Sequence, residues 1–199
     1  MAINPAKAIL KEGKCALLIC DVQVMFAKDM LEFNKIVQNS IKLMNALKLL
    51  EVPMLVSEHT GWGKTIPEFD ISGAKGPFAK TQFSMCTPEI TNELSTICSG
   101  KKPEAIILIG VETHVCIEST AIDLRVSGYE VHVVADCCTT RTQEDRLLAF
   151  ERMRDIGCHI TTSENVIFKI LGNTTRKEFT DIDRLVQTPT LDTGLTSKK

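Results

Sequence analysis

Short apolar runs alternate with longer amphipathic stretches along most of the chain. Five runs have the length and composition of buried strands, and they occupy residues 15–21, 53–58, 105–110, 129–136 and 159–163. The intervening stretches place apolar side chains at three- and four-residue spacing, which predicts helices over residues 33–51, 88–98, 113–127, 143–156 and 163–171. Such alternation is typical of βαβ units and predicts an α/β fold around a parallel sheet.

Glycine and proline mark the places where this pattern stops. Gly128 and Gly157 each stand between a predicted helix and a predicted strand, which suits a left-handed C-cap. Residues 58–80 contain four glycines and two prolines and show no clear period. Long irregular segments of compact domains are often functional, so this segment is a candidate part of a site.

The length of 199 residues and the hydrophobic content of 44% suit one domain with a sizeable core. We expect this domain at residues 15–187, after an N-terminal extension at 1–14 and before a loose polar tail at 188–199. A net charge of -2 lacks the basic surplus of nucleic-acid-binding proteins. No secretory signal and no apolar run of ~18 residues is present, so we expect a soluble cytoplasmic protein without a membrane partner.

Eight cysteines raise the question of disulfide bonds. Most of them, such as Cys15, Cys20 and Cys158, lie inside apolar runs, where a thiol packs as a small hydrophobic group. Cys137 and Cys138 follow a predicted strand as two buried or half-buried thiols. No C-x-x-C pair suggests a redox motif or a zinc site, and we expect the cysteines to be reduced.

Three residues with reactive side chains are candidates for a site at the carboxyl end of the sheet, where open parallel sheets bind ligands. Asp21 directly follows the first predicted strand. Cys116 lies six residues after Gly110, near a predicted helix start whose dipole favours the thiolate. Lys80 has apolar or small neighbours, so its ammonium must reach solvent or find an anion. A turn residue, a packed hydrophobic side chain and a surface charge are the respective alternatives.

The order and spacing of these residues resemble the isochorismatase-like hydrolases. The matching motifs are Asp21-Val22-Gln23-x-x-Phe26, Ala79-Lys80 and Gly110-Val111-Glu112-Thr113-His114-Val115-Cys116, and the likeness runs from about Cys15 to about Thr190. The segments LLEVP, AKTQFSM and VHVVAD are most similar to those of the eukaryotic isochorismatase domain-containing proteins.

The resemblance implies a single-domain, six-stranded parallel sheet flanked by helices in a Rossmann-like, three-layer arrangement. It assigns Asp21, Lys80 and Cys116 as a catalytic triad, in which Asp21 moves the thiol proton and Lys80 orients Asp21. It also implies that the backbone N–H groups of Glu112 and Cys116 stabilise an oxyanion, beside a cis peptide bond between Val111 and Glu112.

The activity implied is hydrolysis of a C–N bond in a small amide, urea or N-carbamoyl compound through a covalent intermediate on Cys116. Gln23 and Phe26 would shape the pocket or hold its loop, with helix-start packing as the alternative. Trp62 and Phe83 are candidates for an apolar wall. A non-catalytic binding or scaffold protein and an isochorismatase-type vinyl-ether hydrolase are the alternative functions.

Metal binding and assembly also follow from the resemblance. Nicotinamidases of the superfamily bind a metal through one aspartate and two histidines, whereas the matching stretch here offers only Glu58 and His59, so we expect no metal and no cofactor. His114 lies two residues before Cys116 and is a weaker candidate for the base. A Glu112 side chain that entered the pocket would disfavour anionic substrates. We expect a homo-oligomer, as is usual in the family.

Overall fold

The computed structural model describes residues 9–195, so residues 1–8 of the expected N-terminal extension and the last four residues lie outside it. Its centre is one sheet of six parallel strands, which lie in the order β3-β2-β1-β4-β5-β6. The strands are β1 (Cys15–Cys20), β2 (Met54–His59), β3 (Lys75–Lys80), β4 (Ala105–Val111), β5 (Glu130–Thr139) and β6 (His159–Thr161). The expected six-stranded α/β fold is confirmed.

Helices cover both faces of the sheet and complete three layers. One face carries α1 (Phe33–Leu49), α5 (Ser163–Leu171) and α6 (Phe179–Val186), and the other carries α2 (Pro88–Leu94), α3 (Glu118–Val126) and α4 (Gln143–Asp155). All six residues of β1 are buried, and they contribute alternately to the two apolar cores. Burial on both faces explains why the strand is apolar throughout. No helix within residues 9–195 is long and apolar enough to cross a membrane.

Two elements were not predicted from the sequence. β3 lies at the end of the segment that showed no period, and five of its six residues are partly or fully exposed. It contains Pro77, which an edge strand tolerates. α6 is short, and its one fully buried side chain is Ile182. The apolar signal is weak in β3, which carries Lys80 at its end. In α6, by contrast, apolar residues do occur at helical spacing, namely Phe179, Ile182, Leu185 and Val186, and the sequence analysis overlooked them.

Residues at the helix ends adopt the cap conformations that are typical of their residue types. Gly128 and Gly157 have φ of 82° and 87°, so both predicted left-handed caps are confirmed. The Thr142 hydroxyl accepts a hydrogen bond from the Asp145 N–H and caps the start of α4.

The last described residues pack against the domain, in contrast to the loose tail that we expected. Asn39 of α1 accepts from the N–H of Leu191 at 2.9 Å and donates to its carbonyl at 3.0 Å. Leu195 is buried, and its carbonyl accepts a hydrogen bond from Arg146 at 2.6 Å. Hydrogen bonds to the backbone hold this segment, which explains why its polar composition gave no sign of packing.

Arg146 of α4 is a fully buried arginine that contacts three backbone carbonyls, two in β5 and one in the last described segment. Its guanidinium donates to the carbonyls of Cys138 at 3.0 Å, of Leu195 and of Ala135, and it lies over the Phe150 ring at 4.7 Å. Burial lowers the pKa of Arg146 to about 10, so the side chain stays charged at neutral pH. It therefore supplies charged donors to backbone carbonyl groups inside the domain.

We predict that Arg146→Met lowers the free energy of unfolding by about 3 kcal/mol, because buried carbonyl groups lose their donor. Arg152→Met on the same helix is the matched control. Arg152 is half-exposed and pairs with Glu118 at 2.6 Å, so its loss should cost less than about 1 kcal/mol. Urea unfolding of the two variants measures the difference, and equal losses would contradict a structural role for the Arg146 guanidinium.

Candidate active site

The candidate site lies where the strand order reverses. After β1 the chain adds β2 and β3 on one side and then β4, β5 and β6 on the other, so the reversal falls between β1 and β4. This is the position at which open α/β sheets bind ligands. Asp21 directly follows β1, Lys80 ends β3, and Cys116 follows β4. The structure brings these three residues to the same end of the sheet.

Asp21 and Lys80 form a buried ion pair. The Lys80 Nζ donates to the Asp21 Oδ2 at 2.6 Å, and neither side chain has any exposed surface. The ammonium also donates to the carbonyls of Gln82 at 3.1 Å and Phe83 at 2.9 Å, so each of its three protons has an acceptor. Asp21 adopts a left-handed backbone with φ of 52°, a conformation rare for residues other than glycine and often found at functional sites.

Cys116 lies in a wide helical turn that precedes α3. This π-helical turn spans Thr113–Ile117, and the Glu112 carbonyl accepts from the N–H groups of Val115 and Ile117. We expected Cys116 in the first turn of an α-helix, but the regular helix begins only at Glu118. π-helical turns occur frequently at functional sites. The thiol is almost buried, with 6% of the residue exposed.

The Cys116 thiol belongs to a cluster with Cys20 and Asp21. The two sulfur atoms and a carboxylate oxygen of Asp21 all lie within 4.8 Å of one another. Gly110 makes this arrangement possible, because a Cβ there would lie 2.0 Å from the Cys20 carbonyl oxygen. Its φ of 132° also favours glycine. β4 thus approaches β1 closely before the chain turns toward Cys116.

Two buried hydroxyl groups complete the site, and the sequence analysis did not find them. The Ser57 hydroxyl donates to the Asp21 Oδ1 at 2.7 Å. The Thr120 hydroxyl donates to the Cys116 carbonyl at 2.6 Å and accepts from the Met85 N–H at 2.9 Å. A signal existed for Ser57, since it is a small polar residue that directly follows the apolar run Met54–Val56 of a predicted strand.

The peptide bond between Val111 and Glu112 is cis, as the resemblance implied. The Glu112 carboxylate accepts hydrogen bonds from Thr140 at 3.0 Å and from Arg141 at 2.8 Å. The His114 Nδ1 lies 2.8 Å from the same Thr140 hydroxyl. The negative charge of Glu112 is therefore paired with a cation at the end of β5.

Gln23 holds the segment that follows β2. Its side-chain amide accepts from the His59 N–H at 2.8 Å and donates to the carbonyls of His59 at 3.0 Å and Gly63 at 2.6 Å. The side chain has no exposed surface. All of these partners are backbone groups, which favours the interpretation that Gln23 holds a loop.

Aromatic side chains stand near the same loop. Trp62 stacks on Phe26 with ring centroids 5.0 Å apart, and Phe83 stacks on His59 at 6.1 Å. Phe26 is buried, whereas Trp62 is 42% exposed and Phe83 is 57% exposed. Phe83 is linked to the ion pair through its carbonyl, which binds the Lys80 ammonium. The two exposed rings therefore flank the segments that carry Asp21 and Lys80.

The surroundings of the cluster stabilise the positive charge of Lys80 and disfavour a negative charge on Cys20. Burial by itself lowers the pKa of Lys80, but nearby Cys20, Asp21 and Cys116 outweigh it and raise the Lys80 pKa above its ordinary value. Burial, the hydrogen bond with Cys116 and the charge of Asp21 raise the pKa of Cys20. A charged Lys80 therefore lies beside two thiols and a carboxylate at neutral pH.

The described residues contain one group that could offer three ligands to a metal ion, namely Cys20, Asp21 and Cys116. This set does not fit a metal cation. The Lys80 ammonium already binds the Asp21 carboxylate at 2.6 Å and would repel a second positive charge. The cluster is better suited to moving a proton between a thiol and a carboxylate.

Comparisons with known proteins identify the family of this chain. The model of the isochorismatase domain family matches residues 15–165. The chain is 41% identical over 190 residues to isochorismatase domain-containing protein 2 of Xenopus laevis, which covers 94% of this chain and 91% of that protein.

Solved structures give the same result. The MAR1 ribonuclease from Caenorhabditis elegans has a TM-score of 0.87 and 34% identity, and the match covers 96% of this chain and 98% of that one. The ycaC gene product of Escherichia coli, described as an octameric hydrolase of unknown specificity, has a TM-score of 0.80 at 21% identity with 89% of each chain covered, which shows the shared fold. The resemblance drawn from the motifs is confirmed, and this chain belongs to the isochorismatase family of hydrolase folds.

Proposed function

We propose that this protein is a cysteine hydrolase that cleaves a C–N bond of a small amide, urea or N-carbamoyl compound without a metal. One observation carries the proposal, namely the thiol of Cys116 within 4.8 Å of a buried Asp21 carboxylate that is itself paired with Lys80. A thiol becomes a strong nucleophile when a base removes its proton and a nearby cation offsets the negative charge. The cluster supplies both groups.

In the proposed reaction, Asp21 takes the proton of Cys116 and the thiolate attacks the carbonyl carbon of the substrate. The N–H groups of Glu112 and Cys116 stabilise the oxyanion. Asp21 then gives the proton to the leaving nitrogen, and a thioester or thiocarbamate remains on Cys116. Water attacks this intermediate and passes a proton to Asp21, the C–S bond breaks, and Asp21 returns that proton to the departing sulfur and restores the Cys116 thiol. One carboxylate serves as base and acid in turn, while Lys80 stays charged.

The surroundings of the cluster suggest a small substrate with an apolar or planar part. Trp62 and Phe83 expose their rings beside the loop that Gln23 holds, and rings of this kind form apolar walls. The Glu112 carboxylate pairs with Arg141, which reduces the repulsion that an anionic substrate would meet. The Glu112 charge therefore gives little reason to exclude an amide substrate that carries a carboxylate.

Two alternative functions lead to different expectations. A binding or scaffold protein would gain nothing from an ion pair that is shielded from solvent, because burying two charges costs folding free energy. The Caenorhabditis elegans neighbour is named a ribonuclease, and RNA is therefore a second substrate class to test. The net charge of -2 argues against it, since RNA binding usually relies on a basic surface.

We also propose that the protein acts in the cytoplasm as a homo-oligomer. The description of the Escherichia coli neighbour as octameric supports assembly. Free thiols at all eight cysteines, each of them within the described residues, suit a reducing compartment.

An activity screen tests the proposed function. The pure protein should hydrolyse at least one member of a panel of amides, ureas and N-carbamoyl compounds, should leave RNA intact, and should retain its activity after exhaustive chelation. We predict that Cys116→Ala lowers the rate at least ~1000-fold, because no other group forms the covalent intermediate.

Cys158→Ala is the matched control for this variant. Cys158 has the same 6% exposure, and burial raises its pKa to about 12. This variant should keep its activity. Cleavage of RNA alone, or equal rates in the Cys116→Ala variant and the parent protein, would overturn the proposal.

Ser57 positions the proposed base, and its loss should slow the reaction. We predict that Ser57→Ala lowers kcat about tenfold with little change in KM, because a hydrogen bond to a charged group contributes ~1.5–3 kcal/mol. Ser40→Ala is the control, since Ser40 is also buried and donates to the Ile36 carbonyl within α1 at 2.8 Å. Equal kcat values for the two variants would contradict the positioning role of Ser57.

A further inference from the structure

Cys20 is a second thiol inside the candidate site that the proposed reaction does not use. It is the last residue of β1 and directly precedes Asp21, and it has no exposed surface. Its sulfur lies within 4.8 Å of the Cys116 sulfur, and both side chains belong to the same apolar core on one face of the sheet. The two sulfur atoms are therefore close enough for side-chain rotation to bring them into a disulfide bond.

We propose that Cys20 and Cys116 form a reversible disulfide bond when a peroxide reaches the site, so that the pair is an oxidative modification site. The proposal rests on the transfer of a proton from Cys116 to Asp21 in the proposed function. It adds Cys20 as the resolving thiol, a role that the strand position of this residue did not suggest.

The chemistry balances with hydrogen peroxide as the oxidant. The Cys116 thiolate attacks one peroxide oxygen, the O–O bond breaks, and the departing hydroxide takes the proton held by Asp21 and leaves as water. The sulfur has lost two electrons and is now a sulfenic acid. Asp21 then accepts the Cys20 proton, the Cys20 sulfur attacks the Cys116 sulfur, and the S–O bond breaks. The second hydroxide takes this proton, so two thiols and one peroxide give one disulfide and two waters.

Geometry, not acidity, fits Cys20 for the second step. Burial, the hydrogen bond with Cys116 and the charge of Asp21 outweigh Lys80 and raise the pKa of Cys20, so its proton moves to the neighbouring Asp21 carboxylate as its sulfur bonds to Cys116. Access from solvent is needed only at Cys116, because Cys20 reacts with a neighbour inside the protein. Cys116 is 6% exposed and lies where the substrate must reach it.

A second pair of cysteines provides an internal comparison. The Cys98 thiol donates to the Cys15 carbonyl at 3.6 Å, and burial raises the pKa of both residues. Within residues 9–195 no carboxylate receives a hydrogen bond from either thiol, and each thiol donates to one backbone carbonyl. We therefore expect this pair to stay reduced under conditions that join Cys20 to Cys116.

Mass spectrometry of the full-length protein tests the proposal. After brief treatment with a small excess of hydrogen peroxide, the tryptic peptide 15–28 should be joined to peptide 102–125, with the loss of two hydrogen atoms, and a thiol reductant should separate them. Peptide 102–125 contains only Cys116, whereas peptide 15–28 contains Cys15 and Cys20. The Cys15→Ser variant resolves this ambiguity and should still form the crosslink.

The Cys20→Ser variant should lose the crosslink and accumulate the sulfinic acid of Cys116 instead. Two results would overturn the proposal: Cys116 oxidised to sulfinic acid in the parent protein while Cys20 stays free, or a Cys15–Cys98 crosslink that appears first. These readouts do not depend on any substrate. A crosslink in a protein that fails the activity screen would reject the proposed hydrolysis and retain the disulfide. Activity in the screen without a crosslink after peroxide treatment would retain the hydrolysis and reject the disulfide.

Discussion

The buried ion pair between Asp21 and Lys80 is the constraint on which the site depends. Removing two charges from water is costly, and the cost is offset only when both groups find close, complete hydrogen bonding. Here Lys80 has three acceptors, and each oxygen of the Asp21 carboxylate has a donor, from Lys80 and from Ser57. The pair also joins the end of an exposed edge strand to the centre of the sheet. The fold and the proposed chemistry therefore rely on the same contact.

The thiol reaches this pair because the backbone of β4 allows it. Gly110 lets β4 approach β1 more closely than any side chain would permit, and the π-helical turn then carries Cys116 back toward Asp21. Thr120 holds the Cys116 carbonyl and, through Met85, the segment that follows Lys80. The three reactive groups come from the ends of three separate strands, and hydrogen bonds hold these groups close to one another.

The sequence predicted the parts of this arrangement that depend on burial and chain order. The apolar strands β1 and β4 are recognisable from the sequence alone, and a parallel sheet brings their carboxyl ends together. The exposed edge strand β3 has no apolar pattern, so the location of Lys80 on a strand did not follow. Ser57 and the proximity of Cys20 to Cys116 depend on register and on the space left at Gly110, which a linear pattern does not encode. The packed segment before Leu195 depends on side-chain bonds to the backbone, and these also leave no periodic signal.

Selective alkylation of the thiols tests the central claim most directly, because it needs no substrate. Burial raises the pKa of the seven other cysteines, among them Cys15 and Cys138 to about 12. Cys116 differs in having the Asp21 carboxylate, which is paired with Lys80, beside its thiol. With limiting iodoacetamide at neutral pH, peptide mapping should find label first at Cys116, and Asp21→Asn should slow that labelling at least tenfold. First labelling of another cysteine, or an unchanged rate in Asp21→Asn, would contradict the account.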